Sequence, residues 1–452
     1  MLLLVASPLM RGGNRNIALI GLEAISLVFL LSAWIRFALA PRGSLGTPPA
    51  LVGKAAVYLL VLSPAWLSVI YLLPLPAEAW NALPGRGTYA QLMADAGVPF
   101  AGGMPLSLVP DATKASLLAG LTLVAGFIAG YASRLPQLRL LLAVVAGMAF
   151  FQLVLGLFQA AGGQQSSLYF AVEFGGRPLG TFANTNHFAN YIGLALAGYI
   201  WLAWASLTAS SERWTDGFGV RFADRHAQIF WVAGGLALVL GILMSFSRGA
   251  ALSVLPATLL ATGVAFAARG RSISFRMTLL LVAAILGVAA ALVGVGALFS
   301  RFDLTRLSAD ASFRALLAKS TLAGASEFWP WGAGWGTYGA VYPRFQPVAV
   351  DGYAEYAHED YAQLLFEGGM FAVVLAAAFL WLAIRRVLVL LRAAAGPGLL
   401  TADQMVSAFC GIGLSGFLVH SLVEFNMHIP ANAILAALLA GAFLRPLNAE
   451  PE

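Results

Sequence analysis

Charge is scarce in this chain. Asp, Glu, Lys and Arg make up 10% of its 452 residues, against about 25% in soluble globular domains. Hydrophobic residues fill 60% and the mean hydropathy is +0.83, which excludes a soluble fold and points to an all-α polytopic membrane protein. A single cysteine, Cys410, excludes an intramolecular disulfide and a cysteine-rich metal site. No G-x-x-x-x-G-K-[ST] loop occurs, so no P-loop nucleotide site is expected. The formal charge of +6 is not gathered into a basic patch. Nucleic acid is therefore not an expected partner, and the excess reads as Lys and Arg held on one membrane face. The opening MLLLVASPLM has no basic region before it, as a signal peptide would. It is also too short to span, and reads as a truncated first helix or a start placed too late.

What is present in abundance is apolar sequence long enough to cross a bilayer. Runs at 17–39, 51–74, 114–132, 137–160, 188–207, 228–247, 249–268, 277–299, 364–384, 404–424 and 429–446 give eleven spans, or twelve with the N-terminal run. The short loops holding Arg134/Arg139, Arg213/Arg221/Arg225, Arg269/Arg271/Arg276, Arg385/Arg386/Arg392 and Arg445 alternate correctly if all face the cytoplasm. That puts 75–113, 161–187, residue 248 and 300–363 on the outer side. The expected organisation is a helical bundle over 1–299, with interfacial segments at 75–113 and 161–187, then a large outer loop with short helices at 300–363. A second bundle over 364–452 ends in a short cytoplasmic tail.

Polar chemistry concentrates on that outer side. The stretch 301–370 holds five of the 26 Lys and Arg and eight of the 20 Asp and Glu, beside Trp329, Trp331 and Trp335. An arginine at the membrane boundary is costly unless paired or solvated, which singles out Arg248 in MSFSRGA and Arg314 in ASFRALLAKS. Either can instead be an interfacial anchor snorkelling to phospholipid phosphate. The polar 161–187 segment carries Arg177, then Asn184, Asn186 and His187 at a helix entry, where they serve as caps or line a vestibule for a ligand headgroup. His358 sits beside Glu359 and Asp360, with Glu355 and Glu367 nearby, carboxylates able to orient it and raise its basicity; it could also merely cap the next helix. Gly334 to Gly339 matches G-x-G-x-x-G but lacks the strand and helix of a dinucleotide site. A turn that lets Trp331 and Trp335 lie at the membrane surface or stack on sugar rings fits better. His420, Glu424 and His428 would share one face if their helix persisted, but Pro430 disfavours that, so an outer polar cluster is expected rather than a metal site. Glu23 lies within a span and calls for a partner or a cavity.

Taken together, GTFANTNHFANY before one helix, SFSRGA between two others, SFRALL, WPWGAGWGTY and AHEDYAQLLFEGG in and after the large loop, and HSLVEFNMHIPAN near the end resemble the O-antigen ligase and polymerase superfamily. The resemblance runs over nearly the whole chain. It implies a GT-C type, metal-independent glycosyltransferase of the bacterial inner membrane, without cofactor, acting on the periplasmic face. Its partners would be a glycan donor on undecaprenyl pyrophosphate, an acceptor glycan such as lipid A-core, and membrane lipids. The catalytic set carried over by motif is Arg248, Arg314 and His358. Arg177, Asn184, Asn186, His187, Glu359, Asp360 and Trp335 are expected to bind substrate.

The chemistry suits those side chains independently. Arginines stay charged and grip phosphate oxygens in a fork, and a histidine can take the proton of an attacking hydroxyl, with Glu359 or Asp360 as substitutes. The reaction expected is direct inverting transfer, with a ligase favoured over a polymerase. The rival reading is a lipid-glycan transporter, but transporters place ionisable groups near the midplane within paired repeats, a pattern not seen here.

Overall fold

The computed structural model describes residues 1–39, 51–98, 103–170, 172, 176–212, 219–268, 304–350, 352–396 and 399–447. In hydrocarbon every backbone N–H and C=O needs a partner within the chain, so the long apolar runs become helices. In chain order the principal helices are α1 (Asn16–Ala38), α2 (Leu51–Val61), α3 (Ser63–Leu72), α4 (Pro110–Ala132), α5 (Leu135–Ala161) and α6 (Thr185–Glu212). They continue as α7 (Gly219–Met244), α8 (Arg248–Ala267), α9 (Leu304–Glu327), α10 (Asp360–Ala394), α11 (Ala402–His420) and α12 (Pro430–Leu444). Strand is confined, among the described residues, to one antiparallel pair of two-residue pieces, Pro74–Leu75 with Met104–Pro105.

Eight of the described helices are long and apolar enough to cross a membrane, fewer than the eleven expected, for three reasons. The 51–74 run divides into α2 and α3, where Pro64 opens the second piece. The last helix is 15 residues long, cut off by Pro430 at one end and Arg445 at the other. The 277–299 run, with Arg269, Arg271, Arg276 and also Arg213, lies outside the described residues. The N-terminal run forms two short turns, Leu2–Ala6 and Leu9–Gly12, and the second contains left-handed Met10 and Arg11 (φ 55° and 62°).

Of the eight long apolar helices α6 is the most buried, with Phe188, Tyr191, Ile192 and Trp201 enclosed by α5, α7, α8 and α11. The closest crossing is α12 on α4. A side chain at Gly130 or Gly441 would collide with the carbonyls of Leu438 and Phe127, so both glycines are what lets the backbones touch. Outward faces carry apolar side chains such as Val374, Leu380 and Leu391, as a lipid-facing surface requires.

The two ends of the bundle differ. One gathers Arg445, paired to Asp403 at 2.7 Å and donating to the Ser133 carbonyl, and Arg386, which donates to the carbonyls of Leu444 and Arg445. The other carries the 161–187 connection, the α7–α8 turn, the α11–α12 connection and an added layer built from 74–109 and 304–359. Helix α10 joins bundle and layer. At roughly 1.5 Å per residue its 35 residues would reach about 52 Å, more than the ~30 Å hydrocarbon core. It breaks at Gly369 (φ 51°), where any side chain would strike the Pro330 carbonyl. The WPWG turn inserts there, with Met370 N–H donating to Pro330 and the Tyr71 hydroxyl to Trp331 and Gly368.

Arg86 fastens the layer. It is fully buried, donates to the carbonyls of Leu106 (2.7 Å) and Gly332 (2.8 Å), and lies over the Phe328 ring. Burial lowers its pKa to about 10, so it stays charged at neutral pH. Arg86→Leu leaves two buried acceptors unpaired, at about 1–3 kcal/mol each. The expected result is a lower Tm in detergent and faster proteolysis within 75–113, and unchanged cutting there would show that other contacts hold the layer.

Candidate active site

Helix α11 stops at His420, and Pro430 starts α12, leaving 421–429 as a tight connection at the layered end of the bundle. Its Glu424 is 1% exposed. A buried carboxylate is tolerated only when donors replace its water, and four side chains from three other segments do so. Asn186 donates to Oε1 at 2.7 Å, Arg314 Nη2 donates to the same oxygen at 3.0 Å, His358 Nδ1 lies 3.5 Å from it, and His187 Nε2 lies 3.4 Å from Oε2. The two histidine separations are ion-pair contacts rather than short hydrogen bonds. Burial alone would raise the Glu424 pKa, but the His187 and His358 rings beside it hold it well below the usual carboxylate range.

His358 sits in a turn with φ 53°, a left-handed conformation uncommon for a side-chain-bearing residue and concentrated at functional sites. Its ring meets the edge of Phe425 at 4.7 Å, and Phe425 in turn stacks on Tyr356 at 4.5 Å. About a third of the His358 side chain is exposed, and it opens onto a cleft of about 360 Å³ lined also by Arg11, Asn184, His187, Tyr353 and Tyr356. With Nδ1 turned to Glu424, the ring's Nε2 is the nitrogen left for a ligand in the cleft.

The expected residues divide into those that meet here and those that do not. Arg314 is anchored by Glu424 and by the Val423 carbonyl, which its Nη1 donates to. Each terminal nitrogen of a guanidinium carries a second N–H, and 35% of the side chain is exposed. Arg248 starts α8, and its neighbour Gly249 packs so closely on His420 and Val423 that a Cβ would lie 2.8 and 3.1 Å from them. Arg177 lies over Phe246 in the α7–α8 turn, its charge 5.8 Å from the ring centre. Asn184 lines the cleft while its Oδ1 accepts the Asn186 N–H, so the capping reading and the vestibule reading both apply.

Three expected placements are corrected. Glu359 does not reach His358: its two oxygens accept the N–H groups of Tyr361 and Ala362 as the cap of α10. Asp360 is fully buried on the other side of that helix entry, where it takes His428 Nδ1 at 2.8 Å and the Met427 N–H at 2.9 Å. Trp335 is not in the cleft; it packs on Gly368 and Tyr71 beneath the layer. The G-x-G-x-x-G turn points its Gly336 and Tyr338 N–H groups at the two oxygens of the buried Glu367 carboxyl group (2.9 and 3.0 Å), an internal acceptor that occupies the cradle.

His420, Glu424 and His428 do not share a helical face. His420 turns to Asn190, Glu424 to Arg314 and His428 to Asp360. Among the described residues no group of three or more metal-ligating side chains occurs. Two contributions escape sequence reasoning. Glu424 reads only as part of a polar cluster, although an acid at a span's edge is itself a signal. Arg11 follows directly on the short N-terminal run and carries no local signal; the Pro8 carbonyl accepts from Thr181, and Gly12 packs on Phe182, bringing the turn to the cleft wall.

A depressed carboxyl contributes stability above its unfolded pKa of about 4.3, and that contribution is lost as pH falls through the folded value. Glu424→Gln should therefore lower the Tm at pH 7, with the gap to the wild type closing below about pH 4. A gap that stays constant with pH would show that the charge is not what Glu424 contributes.

Residues 233–377 match the family model described as O-antigen ligase. The matched segment contains Arg248, Arg314 and His358 and ends before Glu424. No curated protein matches the chain. Over about a third of its length, the part that carries Arg248, Arg314 and His358, the chain is thus similar to the O-antigen ligase family.

Proposed function

We propose that the protein is a ligase-type glycosyltransferase that moves a glycan from undecaprenyl pyrophosphate to an acceptor sugar hydroxyl, lipid A-core or similar, at the periplasmic face of the inner membrane. The observation that carries this reading is that Arg314 and His358 converge on one oxygen of Glu424 at the wall of an open cleft. A cation for the leaving diphosphate and a base for the incoming alcohol are thereby held within one headgroup's reach. Charge supports this sidedness: Arg134, Arg139, Arg386 and Arg445 belong to the end opposite the cleft, the end that the positive-inside rule favours for the cytoplasm.

In this mechanism the lipid tail stays in hydrocarbon and the diphosphate lies at the boundary beside Arg248 and Arg314. The acceptor hydroxyl approaches the anomeric carbon from the cleft and gives its proton to His358 Nε2 as the new C–O bond forms. The anomeric C–O bond to phosphate breaks on the opposite face, inverting the centre, and its electron pair leaves on undecaprenyl pyrophosphate. The two guanidinium groups stabilise that growing charge. Glu424 orients His358 through Nδ1, as a carboxylate does in hydrolase triads. Asn184, Asn186, His187 and Arg177 belong to the donor side of the site, and Tyr353, Glu355 and Tyr356 offer aromatic and acidic contacts to acceptor sugars. Ionisable groups gathered at the two ends of the bundle, rather than at mid-depth, favour surface transfer over transport.

The test is transfer by purified protein from a lipid-linked glycan to a core-type acceptor. The expected outcome is a new glycosidic product, with kcat lowered about 10²–10⁴-fold by His358→Ala and about 10²-fold by Arg314→Lys or Arg248→Lys, which keep the charge but lose the fork. Extension of lipid-linked repeats without use of the core acceptor would make the enzyme a polymerase. Near-wild-type rates in all three variants would return the arginines to membrane anchors and end the base assignment.

A further inference from the structure

A second histidine lies beneath the site in a network that the transfer mechanism does not use. His428 Nδ1 is 2.8 Å from Asp360 Oδ1, and its Nε2 is 3.0 Å from the side-chain nitrogen of Gln363. Gln363 is buried, and its Oε1 accepts the Ala357 N–H at 3.0 Å, while its Nε2 also lies 3.4 Å from Glu367 Oε1. Ala357 is fully buried and immediately precedes His358, whose left-handed backbone needs support from its surroundings.

The donors and acceptors admit one arrangement. A backbone N–H can only donate, so Ala357 fixes the carboxamide with its oxygen upward and its NH₂ toward His428. An amide NH₂ can only donate, so His428 Nε2 must present a lone pair. The ring proton then sits on Nδ1, donated to Asp360. Protonating Nε2 would set two donors face to face at 3.0 Å. Turning the amide over relieves that clash but aims NH₂ at the Ala357 N–H, and the turn carrying His358 loses its anchor.

We propose that Gln363 is a positioning residue that sets His358 through Ala357, and that it does so only while His428 is neutral. The proposal rests on His358 as the base of the transfer reaction and adds a second proton-sensitive step to it. The titratable groups facing His428 are Asp360 and Glu367 from α10 and Tyr356 from the preceding turn; α12 supplies none. Burial disfavours the charged ring, but Asp360 and Glu367 outweigh it and raise the His428 pKa above its ordinary value. The carboxylates draw a proton in while the amide resists it, which puts two arrangements in competition. As pH falls through the raised pKa, the arrangement that anchors His358 is the one lost.

The experiment pairs a pH profile with a measurement that needs no turnover. In wild-type protein the acid limb of kcat should carry two protons, one on His358 and one on His428. His428→Gln, whose amide offers a donor and an acceptor but takes no proton, should reduce the limb to one. Gln363→Leu should lower kcat about tenfold or more at every pH with the donor KM within about twofold, as a misplaced base does. Nitrogen-15 spectra of histidine-labelled wild-type protein at pH 8 should show His428 protonated on Nδ1 and bare on Nε2, assigned by its absence in His428→Gln or, if that variant does not fold, by sequential assignment. A ring protonated on both nitrogens or only on Nε2 at that pH, an unchanged acid limb in His428→Gln, or wild-type kcat in Gln363→Leu would overturn the proposal. Because the spectra report the ring without catalysis, failure of the transfer assay alone would strike the base assignment and leave the His428–Gln363 arrangement separately decided.

Discussion

A carboxylate withdrawn from water has to be surrounded by donors, and that requirement at Glu424 ties this end of the molecule together. The entry of α6 supplies Asn186 and His187, α9 supplies Arg314, the turn before α10 supplies His358, and the α11–α12 connection supplies Glu424 itself. Breaking such a cluster by removing the central charge leaves its partners uncompensated, which is why buried ionic clusters specify an arrangement more reliably than they add net stability. The cluster also sets chemistry. One oxygen serves both the guanidinium and the imidazole, so their separation is fixed by a single atom rather than by two flexible side chains.

The rest of the fold serves that placement. The glycine-mediated contact of α12 with α4 and the enclosure of α6 make a rigid end to the bundle. The break of α10 at Gly369 lets one helix be both a membrane span and the floor of the outer layer. The Glu367 carboxyl in the Gly-rich turn, and Arg86 between two carbonyls, close that layer with buried hydrogen bonds. The groups that remain partly exposed at this end are Arg314, His358 and the cleft wall from Arg11 to Tyr356, and the proposed function rests on them.

Much of this was legible in the sequence, and what was not failed for physical reasons. Hydropathy finds spans because hydrocarbon imposes one kind of structure, so the helices and the polar end were readable. Arg248 and Arg314 stand out because charge near a bilayer is rare, whereas His358 enters the candidate set through the motif resemblance. Glu359 and Asp360 were misread as partners of His358 because adjacency along the chain says little where a helix begins: a cap folds back over its own amides, and the next residue turns into the bundle. Trp335 was misread because aromatic residues at a membrane surface and aromatic residues beneath a loop have the same composition. Glu424 and Arg11 meet His358 only through tertiary contact, and no local pattern reports that.

The account's central claim is that the Glu424-centred end of the bundle receives a lipid diphosphate. The most direct measurement is a cryo-electron microscopy structure of the protein in nanodiscs with undecaprenyl pyrophosphate. The predicted result is both phosphates in contact with Arg248 and Arg314, His358 facing the terminal phosphate, and the polyprenyl chain running down the bundle toward the Arg445 end. Phosphate density at the Arg445 and Arg386 end, or on the cleft side but out of reach of both arginines, would contradict it.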